Sequence, residues 1–210
     1  MLLGICIILA CAALIISTAV DPILARLGIK RWTALLIMTA ILGLSMLEKI
    51  YITDRLGFNI GSGALVIALC VVLFMFIRGL GKLKALFTML IAAGGVYLIS
   101  AVIPWNWDLA PFDTKHLMGL YAGIIAAIVA DSHRSAVFGS VMGLYLGLAV
   151  KFILDSVDGY AVWIIGEGSE FAAITIAAAL SIFLSDLIGL MRHRGHTGRK
   201  SLPRLKHGIR

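Results

Sequence analysis

Residues 117–154 read LMGLYAGIIAAIVADSHRSAVFGSVMGLYLGLAVKFIL, two oily runs split by Asp131, Ser132, His133 and Arg134. What those four polar residues do depends on the solvent around them, and composition addresses that first. Of 210 residues, 61% are apolar and only 14% charged, and the mean hydropathy is +1.04. Soluble domains carry about a quarter charged residues. A helix that crosses a bilayer needs about 20 mainly apolar residues, since the hydrocarbon layer is roughly 30 Å thick and each helical residue rises about 1.5 Å. The two runs then read as a helical hairpin, with the four polar residues at its tip. Such a closed turn leaves the backbone hydrogen bonds of both helices internal, as lipid requires.

Working outward, the same pattern predicts spans at 2–20, 32–47, 59–77, 85–103, 117–130, 135–154 and 171–190. The expected architecture is an all-α, polytopic bundle of about seven transmembrane helices. It occupies 1–190 and is followed by a basic tail at 191–210. The first segment has no Lys or Arg ahead of it, so it reads as a retained helix rather than a secretory leader; Cys11 in ILAC is a poor lipoprotein signal behind the bulky Leu9.

Lys and Arg set the expected orientation, because basic loops stay cytoplasmic during insertion. With the N-terminus outside, Arg26, Lys30, Arg31, Arg78, Lys82, Lys84, Arg134 and seven tail residues lie inside, fourteen of the 18 basic residues. Only Lys49, Arg55, Lys115 and Lys151 fall outside. Most acids fall there too. The expectation is N-out and C-in, multi-pass in the cell inner (plasma) membrane. The basic tail is drawn to anionic lipid headgroups, and its charge would also attract nucleic acid or an acidic partner, although no specific nucleic acid is expected.

Small residues recur at four-residue spacing on both sides of the hairpin: Gly119, Gly123 and Ala127 in span five, and Gly139, Gly143 and Gly147 in span six. Strips of this kind let helix backbones approach closely, and the expectation is that the two strips face each other. Span five is short for the bilayer at about 21 Å. Lys115 and His116 snorkelling, local thinning of the bilayer, or a broken helix would each accommodate it.

Two glycine-rich stretches, NIGSGAL at 59–65 and IGEGSEF at 165–171, lead into spans three and seven from the same side. Backbone amides in such turns can cradle an anion, and a helix N-terminus can point at a solute. The alternative is a pair of flexible surface loops. The likeness between them hints at an internal repeat.

The order FNIGSGALVIALCVVLFMFIRG, then GLYAGIIAAIVA and VFGSVMGLYLGLAV, then GEGSEFAAITIAAALSIFLSDLIG resembles an uncharacterised prokaryotic family of polytopic membrane proteins, classed as a domain of unknown function. The likeness covers the organisation of 59–189. It implies a prokaryotic membrane protein and carries over no functional residue.

Ionisable groups within spans are functional candidates because burying them is costly. Asp131 sits at a span end, within reach of water or Arg134. Lys151 has Asp155 one turn on, the spacing of a helical ion pair. Asp186, inside the last helix with Ser181 and Ser185 nearby, is the best of the three, with Arg192 or water as its expected neutraliser. Asp131 and Asp186 as a proteolytic pair lack the Gly-x-Gly-Asp context of intramembrane aspartyl proteases. Microbial rhodopsins also have seven spans, but their retinal lysine has no counterpart in 171–190. Cys6, Cys11 and Cys70 show no ligand spacing, and Arg residues flank His193 and His196. No catalytic, cofactor or metal site is expected. Trp32, Trp105, Trp107 and Trp163 read as interfacial anchors.

Two function classes follow. Mid-span polar groups such as Thr39, Ser45, Thr88, Ser100, Ser140 and Thr175 are few and uncharged, and hydroxyls can bond their own helix. That favours a non-enzymatic scaffold or assembly factor, acting with a membrane-protein partner or as a homo-oligomer. The alternative is a transporter or channel for a small neutral or anionic solute, with Asn59, Gly61, Gly63 and Asp186 as path residues. A polar cavity where spans three and seven meet would distinguish the two.

Overall fold

Each apolar segment marked by the sequence contains a helix in a computed structural model that describes residues 2–17, 21–47, 49–102, 113–157, 159 and 161–198. In chain order the helices are α1 (Leu2–Ile16), α2 (Asp21–Leu27), α3 (Arg31–Ser45), a π-helix (Ile60–Leu65) continuing into α4 (Val66–Met75), α5 (Leu80–Val102), α6 (Thr114–Val129), α7 (His133–Val157) and α8 (Ser169–Gly198). Three strands interrupt them: β1 (Ile50–Thr53), β2 (Leu56–Phe58) and β3 (Trp163–Ile165). About 80% of the described residues are helical.

Among the described residues, three helices are long and apolar enough to cross a membrane, Leu80–Val102, His133–Val157 and Ser169–Met191; a fourth is added if α1 and α2, angled at 102°, count as one. Seven does not follow from length. The helices at Arg31–Ser45, Ile60–Met75 and Thr114–Val129 have 15 to 16 residues, or about 22–24 Å. On α5, Phe87, Leu90 and Leu98 are exposed while Ala85, Ala92 and Val96 are wholly buried. Large apolar groups outside and small ones inside suit a lipid surround and close helix packing.

The bundle core is α5 to α8, and the helices pack two along the chain rather than hairpin to hairpin. Gly139, Gly143 and Gly147 of α7 lie against Thr88, Ala92 and Val96 of α5. Gly119 and Gly123 of α6 lie against Ala173 and Ala177 of α8. The matched order in each pair makes both pairs parallel. The expected facing of the two strips is therefore incorrect, although both lie at close contacts, and Ala127 is buried as well. The physical reason is shape. A glycine groove is filled by a small ridge, which alanine and valine supply; glycine against glycine would leave a void.

α6 also starts earlier than the 117–130 expectation. Asp113 caps it in a reciprocal box with His116, the carboxylate accepting from the Lys115 amide and His116 Nδ1 accepting from the Asp113 amide at 3.1 Å. Lys115 and His116 are thus helical residues.

At one end of the bundle β1 and β2 form an antiparallel hairpin, and β2 pairs with β3 in parallel, Leu56 opposite Trp163, Gly57 opposite Ile164 and Phe58 opposite Ile165. Beyond this ladder the two glycine-rich stretches stay in contact, the Asn59 amide donating to Ile165 O and Ser62 and Gly63 lying against Gly166.

Candidate functional site

The sheet end of the bundle is held by polar contacts that start from Asn59. Its Oδ1 accepts from the amides of Gly61 and Ser62, capping the π-helix, and its Nδ2 donates to Ser45 O at 2.9 Å. Gly61 passes so close to α3 that a Cβ would strike the Ser45 amide and Ile41 O; one at Gly63 would lie 2.9 Å from Ile165 O. Ser62 Oγ donates to Gly166 O and Tyr145 Oη to Ser62 O, each at 2.5 Å. Gly166 has φ +80°, and a Cβ there would lie 2.6 Å from the Gly63 amide, so only glycine fits.

Glu170, in the first turn of α8, is 1% exposed. Its Oε1 accepts from Lys115 Nζ at 3.0 Å and Trp163 Nε1 at 2.9 Å, and its Oε2 from the Gly166 amide at 3.1 Å. One carboxylate thereby ties α6, β3 and α8 together. A buried charge is tolerated in this way, by pairing and by hydrogen bonds to its remaining lone pairs. Lys151 and Asp155 form the expected pair at 3.0 Å. Lys49 pairs with Glu167, and the hydrogen bond to that carboxylate raises the ammonium's pKa.

Two clefts flank this knot. One, of about 570 Å³, opens between the end of α7, β3 and the start of α8, with Lys115, Lys151, Asp155, Trp163, Glu167 and Glu170 in its lining. The other, of about 370 Å³, lies where the two glycine-rich stretches meet and is lined by Ser45, Lys49, Asn59, Ser62, Glu167 and Phe171 among others.

The opposite end holds DSHR. Asp131 pairs with Lys84. Arg134 Nε donates to Leu27 O at 2.9 Å, Nη1 approaches Phe76 O at 3.4 Å, and the guanidinium lies over the Phe76 ring. One side chain therefore serves the carboxyl ends of α2 and α4. Asp186 pairs with Arg26 and lies 3.5 Å from His133 Nε2. Each aspartate has its own cation, unlike two carboxylates sharing a proton, and Asp131, 56% exposed, is open to water as well.

The path residues singled out above are not brought together. Asn59, Gly61 and Gly63 are at the sheet end, whereas Asp186 is sixteen residues beyond Glu170 along α8, about 24 Å away. Glu170, Lys115, Trp163 and Tyr145 were not identified as a site by sequence reasoning. Lys115 read as a snorkelling residue at the end of span five, Glu170 as one of the outside acids within the stretch 165–171, and Trp163 as an interfacial anchor. A usable signal was present: opposite charges sit just before the apolar runs beginning at Leu117 and Phe171. Among the described residues no three His, Cys, Asp or Glu side chains gather into a metal-holding group. The chain matches no protein-family model, no curated protein and no solved structure.

Proposed function

We propose that this chain is a seven-span plasma-membrane protein, N-out and C-in with the sheet end outside, and that it handles a small solute at the Lys115–Glu170 cleft as a transporter. The observation that carries the reading is the meeting of the two glycine-rich stretches over polar clefts, beside a buried carboxylate–ammonium pair. Intramembrane ionisable groups mark solute and ion pathways. Irregular backbone at helix starts, here a π-helix and a left-handed glycine turn, is the usual setting of transporter sites. The fourteen-to-four split of basic residues supports the orientation.

A second reading, the scaffold or assembly factor, is favoured by a different observation. The buried hydroxyls of Thr88, Ser100, Ser140 and Ser181 each donate to a carbonyl of their own helix, so they serve packing rather than a polar path. Purified protein reconstituted into vesicles and assayed against amino acids, organic acids, amines and sugars separates the two. Transport predicts a saturable flux that Glu170→Gln reduces without loss of folded protein. The absence of flux for every class, or a flux indifferent to Glu170→Gln, removes the transport reading.

A further inference from the structure

We infer that the larger cleft takes a zwitterion with an apolar side chain, of amino-acid or dipeptide size, its anionic group on Lys151 and its ammonium on Asp155. The inference rests on the proposed solute-handling role and names the solute's chemistry.

The lining carries charge of both signs, and each of its charged groups is engaged within the protein: Lys115 with Glu170, Lys151 with Asp155, and Glu167 with Lys49 from outside the cleft. A ligand of one charge would take one member of a pair and strand the other, which is costly in a partly desolvated cleft. A zwitterion avoids this. It opens one pair and forms two, leaving no charge unmatched.

The pair to open is Lys151–Asp155. Glu170 is held by three donors and is almost fully buried, with its side chain 2% exposed, whereas the Asp155 side chain is 44% exposed. Lys151 and Asp155 are also one turn apart on α7, a spacing at which ion pairs are individually weak. Beside them Phe152 and Trp163 form a wall, their ring centroids 5.6 Å apart, with Leu148 and Val162 also in the lining. A mixed apolar and charged lining suits a ligand that is zwitterionic at one end and apolar at the other. The volume of about 570 Å³ falls within the usual range for small-molecule sites.

The test is thermal unfolding and calorimetric titration of the detergent-purified full chain with four probes: L-phenylalanine, L-alanyl-L-phenylalanine, 3-phenylpropionate and phenethylamine. The last two keep the ring and lose one charge each. At least one zwitterion is expected to bind at least about tenfold more tightly than either singly charged analogue. Lys151→Gln should remove that advantage over phenethylamine, and Asp155→Asn the advantage over 3-phenylpropionate. Either analogue binding as tightly as the zwitterions overturns the inference, and so does zwitterion affinity that survives both substitutions. No binding by any probe overturns it as well. A vesicle flux of some other solute class that still depends on Glu170 would then leave the transport reading standing, and the absence of all flux would remove both.

Discussion

Glu170 and Lys115 meet 3.0 Å apart across fifty-five residues of chain, and the carboxylate takes two further hydrogen bonds, from Trp163 and the Gly166 amide. Glu170→Ala removes the acceptor shared by three donors at once. It should destabilise the protein by about 3–5 kcal/mol, the range for breaking a buried pair. Glu170→Gln keeps an acceptor oxygen and should cost about 1–3 kcal/mol. In the double variant Glu170→Ala with Lys115→Met, the loss should be less than the sum of the single losses. Thermal unfolding in detergent reads all three, and strict additivity would separate the two residues energetically.

The parallel packing of α5 and α7 makes a pairwise prediction. A Cβ at Gly143 would lie 2.6 Å from that of Ala92 and 2.9 Å from Met89 O, so Gly143→Ala should cost about 1–3 kcal/mol. Ala92→Gly in the same chain should recover part of this, whereas Ala127→Gly, on the α6 strip, should not. Rescue from α6 instead would mean that the strips face each other after all.

Gly166 and Gly159 both have positive φ, but only Gly166 is enclosed. Gly159→Ala should cost about 1–2 kcal/mol, the conformational penalty alone. Gly166→Ala adds a collision with the π-helix backbone and should exceed it by at least about 1 kcal/mol. Equal losses at the two positions would remove the claim that Gly166 sits where two backbones touch.

Lys49 gives the alkaline limb of stability a defined sign. Its folded pKa is raised above the ordinary 10.5 by the hydrogen bond to Glu167. The stabilisation is therefore complete below the unfolded value and is lost as pH rises through the folded one. Lys49 is exposed, so the effect should be small and salt-screened. Lys49→Met should flatten that part of the stability–pH curve, and added salt should do the same to the parent protein.

Orientation is checked with single cysteines in a background where Cys6, Cys11 and Cys70 are replaced by alanine. In intact cells an impermeant thiol reagent should label Arg55→Cys in the β1–β2 turn but not Lys82→Cys. Labelling of Lys82→Cys from outside would invert the proposed topology.

The helices were legible because apolar runs of fourteen or more residues have few other solutions in lipid. The strands were not, since three or four residues such as Trp163-Ile164-Ile165 carry no usable periodicity and their pairing depends on residues a hundred positions away. Glycine spacing told that α6 and α7 make close contacts, but not with what, because Gly143 marks a groove and the ridge belongs to Ala92. Glu170 was hidden for a related reason. A lone acid before an apolar run looks like an interfacial charge until Lys115, Trp163 and Gly166 are seen to converge on it.

The parallel ladder between β2 and β3 also constrains the order of assembly. Phe58 has only Ile50 of β1 as a strand partner until Ile165 has been synthesised, by which time all helices through α7 have been made. The sheet end of the bundle therefore closes last, as a clasp over helices already made, because so distant a pairing cannot form before the chain between its halves exists. A chain stopped before residue 163 would leave the β2 edge of the hairpin unpaired as well as that of β1, a template waiting for a third strand.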